Sequence, residues 1–245
     1  MFTALKRIPD YLRKVPQKVK LAYRCVRSPY FRWVGPGHFY SPFPDMAEID
    51  RRADYIYPPI PGQLSGIDLR LPQQLKLLAE FEPYYAGMKF EAHPNPRTRY
   101  YCPNAAFPLQ DAFILHAMIR HFNPKRVIEV GCGFSSCMLL DTCEALNWQP
   151  QVTFIEPYPE LLLKLVRPAD HQHFEMKPAF IQDVPLNLFA GLESGDVLFI
   201  DTSHVSKIGS DVNHIIFQIL PVLKPGVFVH FHDIWYPFEY PRDWL

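Results

Sequence analysis

The spacing of apolar positions changes character along this chain, and the change divides it. From Leu109 onward, short β-branched and aromatic runs alternate with stretches of helical spacing. The runs predict strands at Arg126–Val130, Val152–Ile155, Val197–Ile200 and Val227–His232, with a weakly marked fifth near Ala179–Gln182. Helices are expected between them, over Asp111–Phe122, Ser135–Leu146, Glu160–Val166 and Ser210–Leu223. Asn123-Pro124 stops the first of these, and Ser210 or Asp211 caps the last. Strand and helix in alternation predict an α/β core with an open, mostly parallel sheet, whose ligands bind beyond the strands' carboxyl ends.

The chain upstream reads differently. Residues 33–108 are rich in proline and aromatics, with one clear helix at Leu71–Phe81, and suggest an irregular cap. In residues 1–32, Leu5, Ile8, Leu12, Val15 and Val19 fall on one helical face, interrupted by Pro9 and Pro16. The expected organisation is an arm (1–32), a cap (33–108) and a core (109–245).

Charge sharpens this division. The 245 residues have zero formal net charge, yet residues 1–32 hold nine Lys/Arg and one acid. That arm is +8 and the remainder −8, so the body is not expected to bind nucleic acid. The arm fits peripheral docking on an anionic membrane surface or, as the commoner fate of such a segment, a helix packed on its own domain or a frayed solvated arm. No run reaches the length of a spanning helix, and no unbroken apolar signal-peptide core is read. Five cysteines without a CxxC pair suggest reduced thiols and a cytoplasmic setting. Cys132, Cys137 and Cys143 fit no zinc spacing and receive no role.

The chemistry concentrates at the strand ends. In Arg126-Val-Ile-Glu-Val-Gly-Cys-Gly-Phe-Ser-Ser136, a buried strand runs into a glycine turn and a helix start. Glu129 is costly in a buried strand unless it meets a cation or several hydrogen-bond donors. Glu156, Asp201 and Asp233 end the next marked strands.

These blocks resemble the class I S-adenosylmethionine (SAM)-dependent methyltransferases. The resemblance rests on Glu129-Val-Gly-Cys-Gly133, Glu156 and Leu223-Lys-Pro-Gly226. Phe199-Ile-Asp-Thr-Ser-His-Val205 and His230-Phe-His-Asp-Ile234 are similar to blocks of a bacterial subgroup. The resemblance implies a Rossmann-like sheet and a SAM site made by Glu129, Gly131, Gly133, Ser135, Ser136, Glu156 and Asp183. In it, Glu129 and the turn meet the methionine end, Glu156 the ribose hydroxyls and Asp183 the adenine amino group. Tyr100 and Tyr101 are weaker candidates for covering the sulfonium. Gly131→Val is expected to abolish SAM affinity by filling the cofactor's path. Twelve residues follow Asp233, fewer than the family's usual closing hairpin needs, so that hairpin is expected to be missing. An open edge at the last strand would favour a homo-oligomer.

Asp201, His204, His230, His232 and Asp233 form the second constellation, with Asp201, His204, His232 and Asp233 as the catalytic candidates. Asp201 and Asp233 could hold a divalent metal: magnesium with water, or manganese if a histidine joins. Alternatively His204 or His232 is a general base oriented by Asp201, or the group is structural. The function implied is O-methylation of a small-molecule acceptor. A nicotinamide-dependent enzyme and a non-catalytic binding domain are the alternatives. Against the first, Glu129 favours SAM and the turn lacks the last glycine of the dinucleotide fingerprint.

Overall fold

The computed structural model describes residues 17–29, 33–86, 88, 91–104 and 106–244. Most of the expected arm, including Leu5, Ile8, Leu12 and Val15, lies outside them. The described chain forms two compact units, one of residues up to Ser65 together with those from Trp235, the other Gly66–Ile234.

The first unit holds short helices α1 (Gln17–Arg27), α2 (Met46–Arg51) and α3 (Ala53–Ile56). Asp45 caps α2 by accepting from the Ala47 N–H at 2.9 Å. The C-terminal segment joins this unit through Arg242 to Asp50, at 3.1 Å, and through the Tyr236 hydroxyl to the Pro61 carbonyl.

The second unit is the α/β core. Its elements are α4 (Leu71–Tyr85), α5 (Leu109–Phe122), β1 (Arg126–Val130), α6 (Phe134–Ala145), β2 (Gln151–Ile155) and α7 (Glu160–Leu165). They continue with β3 (Glu175–Lys177), α8 (Leu186–Ala190), β4 (Val197–Ile200), α9 (Asp211–His214) and β5 (Phe228–Phe231). All strands are parallel, in the order β3-β2-β1-β4-β5. The fold is the Rossmann-like open sheet that the alternation predicts.

Strand alternation sends each face of the sheet into its own apolar layer, which is why β4 is buried throughout and β1 from Val127 onward. Val127, Val197 and Phe199 join Leu115, Ile119 and Leu139 of α5 and α6. Ile128, Val130, Leu198 and Ile200 join Phe189, Ile215 and Ile219 on the other side. Ser210 caps α9 as expected, accepting from the Asn213 N–H. The helix then widens into a π turn at Ile215–Ile219 and tightens at Leu220–Val222. Pro221 lacks the N–H that would reach the Phe217 carbonyl, which accounts for the irregularity.

Two expectations need correction. The third strand is Glu175–Lys177, not Ala179–Gln182. Pro178 ends it, and Ile181–Asp183 is a 3-10 turn that buries Ile181 alone. The unit boundary also falls before the expected 108/109 division. Phe81, Arg99, Tyr100 and Phe107 are buried in the α/β unit, so residues 66–108 belong with it.

Candidate active site

The winding reverses between β1 and β4, which opens a crevice beyond their carboxyl ends. Asp201 N–H donates to the Val130 carbonyl at 2.8 Å, drawing the two strand ends together. Gly131 is at φ +83°, and a Cβ there would stand 1.6 Å from the Asp201 carbonyl oxygen. A side chain at Gly131 would therefore strike the backbone just past β4, a constraint that adds to the expected cofactor path. Gly133 differs, because its Cβ would meet only Leu161 Cδ2 at 3.6 Å, an ordinary contact.

Glu129 lies on the α6 side of β1, and the first turn of α6 supplies its partners. Ser135 and Ser136 donate to its Oε1 at 2.5 and 2.9 Å, and Ser136 Oγ also accepts from the Gly133 N–H. Burial raises the Glu129 carboxyl to about 8, against the pull of the two serines. The donors expected for this carboxylate are thus hydroxyls, and Ser135 and Ser136 are committed to shaping the turn.

Two cleft arms share Gly131, Glu156 and Asp201. The larger, about 410 Å³, runs past Ala179–Gln182 and Thr202–Ser203. The smaller, about 160 Å³, runs past Gly133, Ser135, Ala106 and Phe107. Glu156 is half-buried and positioned by the N–H groups of Tyr158 (2.8 Å) and Cys132 (3.3 Å). Asp183 is exposed and lines neither arm, because the 3-10 turn aims Gln182 inward instead. Gln182 donates to the Gly209 carbonyl and leaves its buried Oε1 without a partner among the described residues. Tyr100 and Tyr101 are also outside the lining. Tyr100 is buried and donates to the Phe107 carbonyl, while Tyr101 packs edge-on against Phe134. A third cleft, about 510 Å³, sits beside Gln151 at the opposite end of β2 and contains none of the expected residues. Burial holds Cys132, Cys137 and Cys143 protonated, which suits packing positions.

Beyond β4 and β5 the ionisable groups converge. His204 Nε2 is 3.2 Å from Asp201 Oδ1 and 4.0 Å from Asp233 Oδ2. His204 and Asp233 have φ of +58° and +55°, left-handed conformations that carry strain in non-glycine residues. His232 is 6% exposed and encircled. Its Nδ1 lies 3.4 Å from Asp233 and 3.6 Å from Asp201, and its Nε2 lies 3.4 Å from Asp111. Burial opposes its charge, but the three carboxylates outweigh it and raise the ring to about 9. Asp201 is held below its usual range, since His232 and His204 outweigh the effect of its burial. His230 stacks flat on Phe199 at 4.4 Å, and burial lowers it to about 4.

Asp111 and Phe107 were not singled out from sequence. Asp111 in the first turn of α5 and Phe107 just ahead of that helix both flank the His232 ring, with the Phe107 ring centroid 5.1 Å away. Acid in the first helical turn is ordinary helix chemistry, so nothing local to Asp111 marked it.

This architecture is that of an α/β protein binding its ligand at the switch point. Residues 128–234 match the model of a family described as "Methyltransferase domain". An uncharacterised protein of Archaeoglobus fulgidus is 35% identical over 162 residues, covering 64% of this chain and 73% of that one. The CmcI-N160 apo-structure is 12% identical with a TM-score of 0.41, over 79% of this chain and 78% of that one. The O-methyltransferase TomG from Streptomyces achromogenes, solved with SAM, is 17% identical with a TM-score of 0.38, over 74% and 70%. Residues 128–234 thus carry a methyltransferase domain, in agreement with the class I SAM-dependent resemblance of the strand-end motifs. That match favours the SAM reading over the nicotinamide alternative.

Proposed function

We propose that the chain transfers the methyl group of SAM to a hydroxyl oxygen of a small-molecule acceptor. The carrying observation is the Asp201–His204–Asp233 group, placed beside the cleft that Gly131, Glu156 and Asp201 line. The cleft residues fit SAM: Glu156 offers two carboxylate oxygens to the ribose hydroxyls, Gln182 an unpartnered acceptor, and Gly133 a wall without a side chain. SAM supplies the electrophilic sulfonium methyl.

An oxygen nucleophile must lose a proton during transfer. With Asp201 accepting from His204 Nε2–H, the His204 Nδ1 lone pair is left to take that proton. His204 suits this better than His232, because its side chain is 25% exposed whereas His232 is enclosed by acids. Alignment of donor and acceptor supplies the rest of the rate.

A second reading is favoured by one observation. Ligand atoms of Asp201, His204 and Asp233 lie within 4.8 Å of one another, close enough for one divalent ion. Two carboxylates and an imidazole suit manganese, iron or zinc better than magnesium. Such an ion would supply Lewis acidity to the acceptor oxygen. Calorimetric titration with SAM, using NAD as control, tests the cofactor site. Saturable SAM binding without NAD binding is expected, and no SAM binding by folded protein would refute it. An acceptor screen with and without chelator then separates base from metal, since only the metal reading predicts loss restored by added divalent ion.

A further inference from the structure

Among the described residues of its unit, helix α1 is left largely uncovered. At 100° per residue, Val19, Ala22, Tyr23 and Val26 share one face. That face is open, with Val26 74% and Val19 54% exposed. Lys20, Arg24 and Arg27 stand together on the flanking face, and the segment Gln17–Arg27 contains no acid. Arg27 lies over the Tyr23 ring, 4.9 Å from its centroid, where the two faces meet. Further along the chain, Trp33, Phe39 and Tyr40 are also exposed, with Trp33 and Tyr40 stacked at 5.3 Å.

We propose that α1, with this aromatic segment, docks the protein on an anionic bilayer surface. An exposed apolar stripe flanked by cations is complementary to such a surface, whose acyl boundary takes the valines while its headgroups attract the basic side chains. Aromatic rings favour the same interfacial depth. A nucleic acid would use the cations but would leave Val19 and Val26 in water, so it fits less well. The strongly basic composition of residues 1–32 adds to the same attraction.

Sedimentation of the full chain with vesicles tests this. Vesicles of phosphatidylcholine alone are compared with vesicles containing phosphatidylglycerol. Partitioning about tenfold stronger onto the anionic vesicles is expected, weakening as salt rises. Both Val19→Glu/Val26→Glu and Arg24→Glu/Arg27→Glu are expected to lose it. Val19, Arg24, Val26 and Arg27 are all exposed, so the thermal unfolding midpoint of each double variant should match the parent. Binding that ignores lipid charge, no binding, or undiminished binding by the folded valine variant would overturn the proposal. So would retention on duplex DNA without retention on vesicles.

Discussion

Two clusters in the α/β unit have the same charge inventory: one cation and three carboxylates. Arg99 meets Asp141, Glu144 and Asp170, while His232 meets Asp111, Asp201 and Asp233. In the first, every approach is a hydrogen bond of 2.5–2.8 Å, bidentate toward Asp170. The Arg99 and Tyr100 N–H groups add bonds to Asp141. In the second, the approaches to His232 are 3.4–3.6 Å, and Nδ1 has no hydrogen-bond partner among the described residues. Saturated bonding is what a structural cluster needs, because buried charge left unpaired is costly. A loosely met cluster beside a cleft retains bonding capacity for a ligand. Charge count alone does not separate scaffold from site, whereas bonding saturation does.

The largest effect tests the scaffold side. Arg99→Met should cost about 3–5 kcal/mol of folding stability, because it strands nearly buried carboxylates. Denaturant unfolding would measure it, and Arg99→Lys should rescue little, since an ammonium cannot reproduce the bidentate fork. Full stability with lost methyl transfer would move Arg99 into the site and break the comparison. Asp201→Asn tests the other side. Transfer should fall about a hundredfold or more, with SAM affinity and stability nearly retained. Paired loss of binding and activity would instead assign Asp201 to the cofactor wall.

The sequence made the scaffold of this contrast readable but not its pairing. β1, β2, β4 and β5 were legible because buried strands of β-branched and aromatic residues repeat at βα intervals. β3 was not, since a short edge strand of Glu175-Met-Lys177 carries no apolar run, and Ala179–Ile181 offered a better-looking one. Glu156, Asp201 and Asp233 were visible because acids punctuate strand ends. Arg99 was invisible, because its partners lie 42, 45 and 71 residues away and only the fold collects them. Asp111 was hidden for the same reason. Gly131 was recognised for a ligand, but the backbone constraint from Asp201, 70 residues on, was not readable.

Glu129 lies between the two cases, since its Oε1 is bonded by serines and yet burial holds its carboxyl near 8. Against an ordinary value of 4.5, this carboxyl binds its proton more tightly when folded. Its contribution to stability is complete below pH 4.5 and is lost as pH rises from there through 8. Glu129→Gln removes that loss, so unfolding at pH 8 should move up by roughly a few degrees while the difference vanishes near pH 4. If the resemblance assigns Glu129 correctly, SAM affinity falls in the same variant. A gain in stability with unchanged affinity would leave Glu129 a turn-shaping residue only.

The smallest perturbation is Gly133→Ala. Extended φ at this position suits any residue, and the added methyl meets Leu161 at an ordinary 3.6 Å, so stability should change by less than about 1 kcal/mol. The methyl nevertheless enters the smaller cleft arm, between the glycine turn and Glu156. SAM affinity should therefore drop by about tenfold, read by the same calorimetric titration. Because the apo protein tolerates the methyl, a lower affinity can only come from the ligand's side. Unchanged affinity would place the cofactor in the larger arm alone, beside Gln182 and away from the turn.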